Sequence, residues 1–217
     1  MIILNQEEVL SWYSGEIYGQ PSAALASLVP HSFPAFARVM NPVRTSKGQR
    51  LRWSVIAGSA MTVDSETQWS EIVSIVNPDP NEYYEPETGT IDSLVALRLS
   101  AVLAKHTQSS AFTFLAWEGY DSLLEAVRES PTITIGEQRV MHVRSGSIEL
   151  ALEPIDFPPT RLAMNWIPDD GAWFVGNDIY ARSVFVGGSV AAVAAVLSAP
   201  GLEAYLVRPR QTVVPED

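Results

Sequence analysis

Cysteine is missing from this 217-residue chain. Disulfides, thiolate metal sites and thiol nucleophiles are thereby excluded, and the composition fits a reducing compartment such as the cytoplasm. Long apolar runs are missing as well. The nearest, "VAAVAAVLSAP", is about half the ~20 residues that a membrane-spanning helix needs. The opening "MIILNQEEVL" has no basic n-region, so it does not read as a secretory signal. Positive charge is scarce: 14 Lys and Arg stand against 25 Asp and Glu, for a net charge of −11. A nucleic-acid binder neutralises phosphates with clustered cations. Here the tightest group, Arg44, Lys47, Arg50 and Arg52, sits in a turn-rich stretch and reads as a solvated loop. The expectation is a soluble, cytoplasmic protein that takes neither nucleic acid nor membrane as partner.

Catalytic and cofactor signatures are equally thin. The three histidines, His31, His106 and His142, never fall within a helical turn of one another, and HExxH, GxGxxG and the P-loop are all absent. No metal and no cofactor is expected. "VFVGGSVAA" approximates a nucleophile elbow between a strand and a helix, yet every histidine precedes Ser189, against the order that motif requires. Gly187, Gly188 and Ser189 also suit a phosphate at a helix start, or simply a tight turn with Ser189 as N-cap. Asp79, Glu82, Glu85 and Glu87 crowd one loop without the glycine and spacing of a calcium-binding loop.

What is present is a globular composition, 47% hydrophobic and 18% charged, long enough to remove about 70% of the unfolded chain's surface from water. Asn5 and Glu8 frame a capping box for a first helix with Val9, Leu10 and Tyr13 on its apolar side and Gly15 as its stop. Prolines 21, 30, 34 and 42 follow, with "AFARVM" between the last two as an edge strand. "RLRWSVIAGSA" leans to helix, and "TQWSEIVSIV" fits helix or strand. After the acidic loop "NPDPNEYYEPETG", Thr90 is placed to cap the strongest helix, 91–106. "DSLLEAVRES" reads as a short helix between Asp121 and Pro131. "TITI", "VMHVRSG" and "SIELALE" read as strands, the last two as a hairpin. "AWFVGNDIY", "SVFVGGS" and "LEAYLVRP" add strands around a helix after Ser189, with Asp169-Asp170-Gly171 as a hairpin turn. The sum is a single compact α+β domain over 1–217, a mostly antiparallel sheet flanked by helices, helix-richer in 1–110 and strand-richer in 111–217.

Two stretches, "HTQSSAFTFLAWEGY" and "WIPDDGAWFVGNDIYARSVFVGGSVAAVAAVLSAPGLEA", resemble a family of bacterial hypothetical proteins. Its pattern is an aromatic-Pro-Asp-x-x-x-Trp segment, an Asp-Ile-Asp strand end, then Val-Gly-Gly-Ser and a helix. Pro168, Asp169, Trp173, Asp178, Gly187, Gly188 and Ser189 match it. The resemblance implies no activity. Tyr180 stands where the pattern has its second aspartate, which counts against a metal or acid–base role for Asp178.

Two functional readings follow from the residues. One is a non-enzymatic domain that binds a protein partner, or itself as a homodimer, through an acidic face bearing tryptophans, of which the chain has six. The other is a small-molecule binding protein or enzyme with a pocket near Trp117, Glu118, Trp173 and Asp178. In that reading the strand "TFLAW" delivers Glu118, semi-buried, to the rim of a cleft.

Overall fold

The strand-like runs beyond residue 110 close into one sheet together with a strand from the first half of the chain. The computed structural model describes residues 6–19, 24–135 and 139–211; Asn5 and Pro21 lie outside the described residues. In chain order the strands are β1 (Ala35–Met40), β2 (Val43–Thr45), β3 (Arg50–Leu51), β4 (Tyr83–Tyr84), β5 (Phe112–Trp117), β6 (Thr132–Ile135), β7 (Arg139–Gly146), β8 (Asn165–Pro168), β9 (Trp173–Gly176), β10 (Ser183–Gly188) and β11 (Ala204–Val207). The helices are α1 (Gln6–Ile17), α2 (Trp53–Ala57), α3 (Trp69–Val76), α4 (Ser93–Leu103), α5 (Glu125–Arg128) and α6 (Val190–Leu197). Eight strands form an antiparallel sheet in the order β11-β1-β10-β9-β8-β5-β7-β6, and β3-β2-β4 form a small second sheet. The architecture is α+β, in a single compact fold.

Two apolar layers and a satellite hold it together. On one face, Val95, Ala96 and Leu99 of α4 and Val193 and Val196 of α6 pack on Phe112, Phe114, Trp166, Trp173 and Val186. On the other, Val9, Tyr13 and Ile17 of α1 meet Leu115, Phe174 and Phe185. Their spacing of four residues stacks them on one side of the helix. Alternation along β5 divides these layers: Phe112 and Phe114 face one, Leu115 and Trp117 the other. The satellite gathers Trp53, Trp69 and Ile72 of α2 and α3 around Met40 and Val43.

Several sequence expectations need correction. "AFARVM" is not an edge: β1 lies between β10 and β11, with Ala37 opposite both Val186 and Leu206. The flanking prolines gave it the look of an edge, but it is paired on both sides and its Arg38 is buried. Arg38 donates to Ser183 Oγ and to the Ser65 and Thr67 carbonyls at 2.9–3.0 Å. Burial lowers its pKa to about 10, opposed by the nearby charges of Asp64 and Glu71. Gly15 does not end α1, which continues to Ile17; Gly19, with φ +73°, follows instead. "TQWSEIVSIV" is helical, with a Gln68/Glu71 capping box and Asn77 in the left-handed region after it. "SIELALE" forms no hairpin with β7, which already pairs with β5 and β6; Ile148–Leu152 winds instead into a 3₁₀ turn. The helix from "DSLLEAVRES" shrinks to Glu125–Arg128, and its N-cap is Leu124 rather than Asp121.

The strongest predicted helix starts two residues late, and the reason organises the whole end of the sheet. Thr90 does not cap α4; its Oγ1 accepts from Leu162 N–H. Asp92 is the cap, accepting from Leu94 N–H at 2.9 Å. Asn41, fully buried just past β1, positions that cap. Its Oδ1 accepts from Asp92 N–H at 3.0 Å, and its Nδ2 donates to the Glu87 and Thr90 carbonyls at 3.0 and 2.8 Å. Asn41→Ala leaves two buried carbonyls and one N–H without partners. Urea unfolding should show a loss of at least about 3 kcal/mol, a larger cost than Ala at an exposed cap.

Candidate functional site

The residues singled out around "TFLAWEGY" do not converge. Trp117 closes β5 half-buried, with its ring edge-on to Tyr120 at 5.4 Å. The indole lies over Gly119, where an added Cβ would collide with it. Glu118 is exposed, not semi-buried, although its N–H extends the ladder to the Val140 carbonyl at 3.1 Å. Trp173 is wholly buried in the layer opposite Trp117, stacked on Phe112 at 5.8 Å and donating to the Leu103 carbonyl at 2.9 Å. Asp178 is buried at the end of β9, where Oδ1 accepts from Tyr180 N–H and Oδ2 pairs with Arg139 at 3.2 Å. Trp117 and Asp178 thus share the surroundings of Tyr120. Its hydroxyl donates to the Gly89 carbonyl at 2.6 Å. Burial lifts that hydroxyl to about 12, against the pull of Arg161 and Arg139. This corner is already neutralised and bonded, and offers no spare charge to a ligand.

The second predicted group is also accounted for by packing. Ser189 Oγ accepts from Ala192 N–H at 3.1 Å and caps α6, which occupies a donor that a phosphate would need. Gly187 is bare because Val29 and Phe33 press on the strand there; a Cβ would stand 2.6 Å from Val29 Cγ1. Among the described residues no three His, Asp or Glu gather as a metal site, and no helix is long and apolar enough to cross a membrane. Four of the six tryptophans, Trp53, Trp69, Trp166 and Trp173, are buried in the core.

A different site emerges at the basic group of residues 44–52. Asp92, with a side chain closed to solvent, anchors Arg50 at 2.9 Å and Arg44 at 3.3 Å. Arg50 and Arg52 then line a pocket of about 160 Å³ with Arg98 from α4 and with Glu203, which immediately precedes β11. The remaining wall is apolar: Met40, Pro42, Leu51, Leu94 and Val95. Gly201, with φ +81°, makes the space: the Arg98 guanidinium lies where its Cβ would be.

The charges in this pocket are unbalanced. Glu203 is buried and committed, accepting from Trp53 N–H at 2.5 Å, Ser54 N–H at 2.9 Å and Tyr205 Oη at 3.1 Å. It thereby caps α2, whose own N-cap Arg52 gives no side-chain bond. Arg50 is held by Asp92. Among the described residues, neither Arg52 nor Arg98 has a carboxylate within ion-pair distance. The larger cleft next to it, about 250 Å³ between Arg44 and Arg161, lacks this feature. Arg44 there pairs with Glu87 at 2.7 Å and Arg161 with Asp156 at 3.1 Å. The local sequence signal was the arginine group itself; Arg98 and Gly201, far along the chain, were invisible as its complement.

The chain matches no protein-family model, no curated protein and no solved structure.

Two measurements check this assignment of roles. Ser189→Ala should cost about 1 kcal/mol as a lost cap, and a fluorophosphonate probe should leave Ser189 unlabelled. Asp156 gives the acid limb. Burial pushes its carboxyl up, but bonds from the Thr160 side chain and main chain and from Arg161 outweigh that and hold it below the ordinary 3.8. A depressed folded value stabilises fully above the unfolded one, and the benefit is lost as pH falls through the folded value. Below about pH 4 the wild type should therefore lose stability more steeply with falling pH than Asp156→Asn; equal slopes would contradict the assignment.

Proposed function

We propose that the protein is a non-enzymatic binding domain that captures an anionic group in the pocket of Arg50, Arg52 and Arg98. The observation that carries this reading is that Arg52, exposed, and Arg98, half-buried, line the cavity and, among the described residues, have no carboxylate within ion-pair distance. Placing cations side by side is unfavourable unless an anion joins them. Guanidiniums stay charged at all physiological pH, and Glu203 is saturated by donors. Such groups hold a charge rather than shuttle a proton, which supports binding over catalysis. The surrounding chain carries −11, so an approaching anion is repelled elsewhere and drawn here. A protein partner would then present its acidic group at this pocket.

Side-chain NMR of the arginine Nε–H groups tests it directly. Acetate or inorganic phosphate should shift Arg52 and Arg98 saturably, and Arg98→Met should remove the response. Arg208, exposed after β11, is the internal control. If no anion moves Arg52 and Arg98 more than Arg208, the proposal fails.

A further inference from the structure

We infer that the anion this pocket takes is a short aliphatic carboxylate, a charged head on a branched hydrocarbon body of a few carbons; this rests on the anion-binding reading above. The apolar residues that line the pocket beside the arginines carry the inference. Met40 and Val95 are almost wholly buried beneath the cavity, and Leu51 and Leu94 line it half-buried. Inorganic phosphate has oxygens on every side. In this cavity it would turn some of them onto hydrocarbon and others toward the Glu203 carboxylate, leaving hydrogen bonds unmade. A carboxylate concentrates its charge on one planar edge that a guanidinium grips with two parallel bonds. The rest of such a ligand is free to be apolar.

Size sets the body. A cavity of about 160 Å³ holds about five water volumes at ~30 Å³ each. That accommodates a carboxylate with a butyl-like tail. The seating of Arg98 matches this division. Its guanidinium rests against the bare Gly201 backbone, while its own helix supplies Leu94 and Val95 to the wall. Charge and hydrocarbon therefore meet the ligand from one rigid element. Two sources present this chemistry: a free branched-chain acid, or the C-terminal residue of a peptide ending in leucine or valine.

Calorimetric titration with acetate, isovalerate and inorganic phosphate decides the matter. Isovalerate should bind at least about tenfold more tightly than acetate, since each added buried methylene is worth about fourfold. Phosphate should bind no better than acetate. Leu94→Ser should reduce the isovalerate-to-acetate ratio; should that variant fail to fold, Leu51→Ser on the same wall gives the same readout. N-acetyl-Gly-Leu, as free acid and as amide, separates the sources. Binding of the acid form alone points to a chain terminus, and exclusion of both, with isovalerate still bound, points to the free acid. Phosphate binding more tightly than isovalerate, or an isovalerate-to-acetate ratio near one, overturns the inference and leaves the anion reading standing. Failure of all three anions to bind overturns both.

Discussion

The Asn41–Asp92 hydrogen bond is the contact on which this end of the molecule depends. One buried amide fixes the loop before α4, and that loop fixes the carboxylate that caps the helix. The same carboxylate, inaccessible to solvent, gathers Arg44 and Arg50. A buried charge survives only when its lone pairs are filled, and Asp92 meets that condition through one backbone N–H and two guanidiniums. The sheet end, the central helix and the arginine pocket are therefore one construction. A second remote carboxylate, Glu203, does the same for α2. Both acids are spent on structure, and among the described residues Arg52 and Arg98, which line the pocket, have no carboxylate within ion-pair distance.

Local chemistry was legible in the sequence. The hairpin at Asp170-Gly171, where Gly171 N–H closes a turn onto the Pro168 carbonyl, follows from a turn dipeptide between two strand-like runs. Ser189 as a cap follows from a polar residue ahead of an alanine- and valine-rich helix. So does the antiparallel character of the sheet, from closely spaced strands with short connections. These features depend on residues a few positions apart.

What was hidden depends on distant partners. Whether β1 is an edge is decided by β10 and β11, and the acceptors that let Arg38 be buried, the Ser65 and Thr67 carbonyls, lie in the loop before α3. Thr90 and Asp92 are both good caps; Leu162 and Asn41 choose between them. Glu118 continues its strand's alternation, yet it lies just past the end of β5 and is exposed. The pocket escaped for the same reason: Arg50 and Arg52 stand two positions apart in sequence, while Arg98, Gly201 and Glu203 come from a helix and a loop much further along.

The placement of β1 also sets the order in which the molecule can be made. Its six residues leave the ribosome well before β10 and β11, the two strands that fill its hydrogen-bonding edges. Until those strands emerge, an almost wholly apolar segment with two open edges must wait unpaired. Pairings of such long sequence separation close slowly. A nascent chain paused before residue 183 would therefore be the form of this protein most exposed to aggregation and to chaperones.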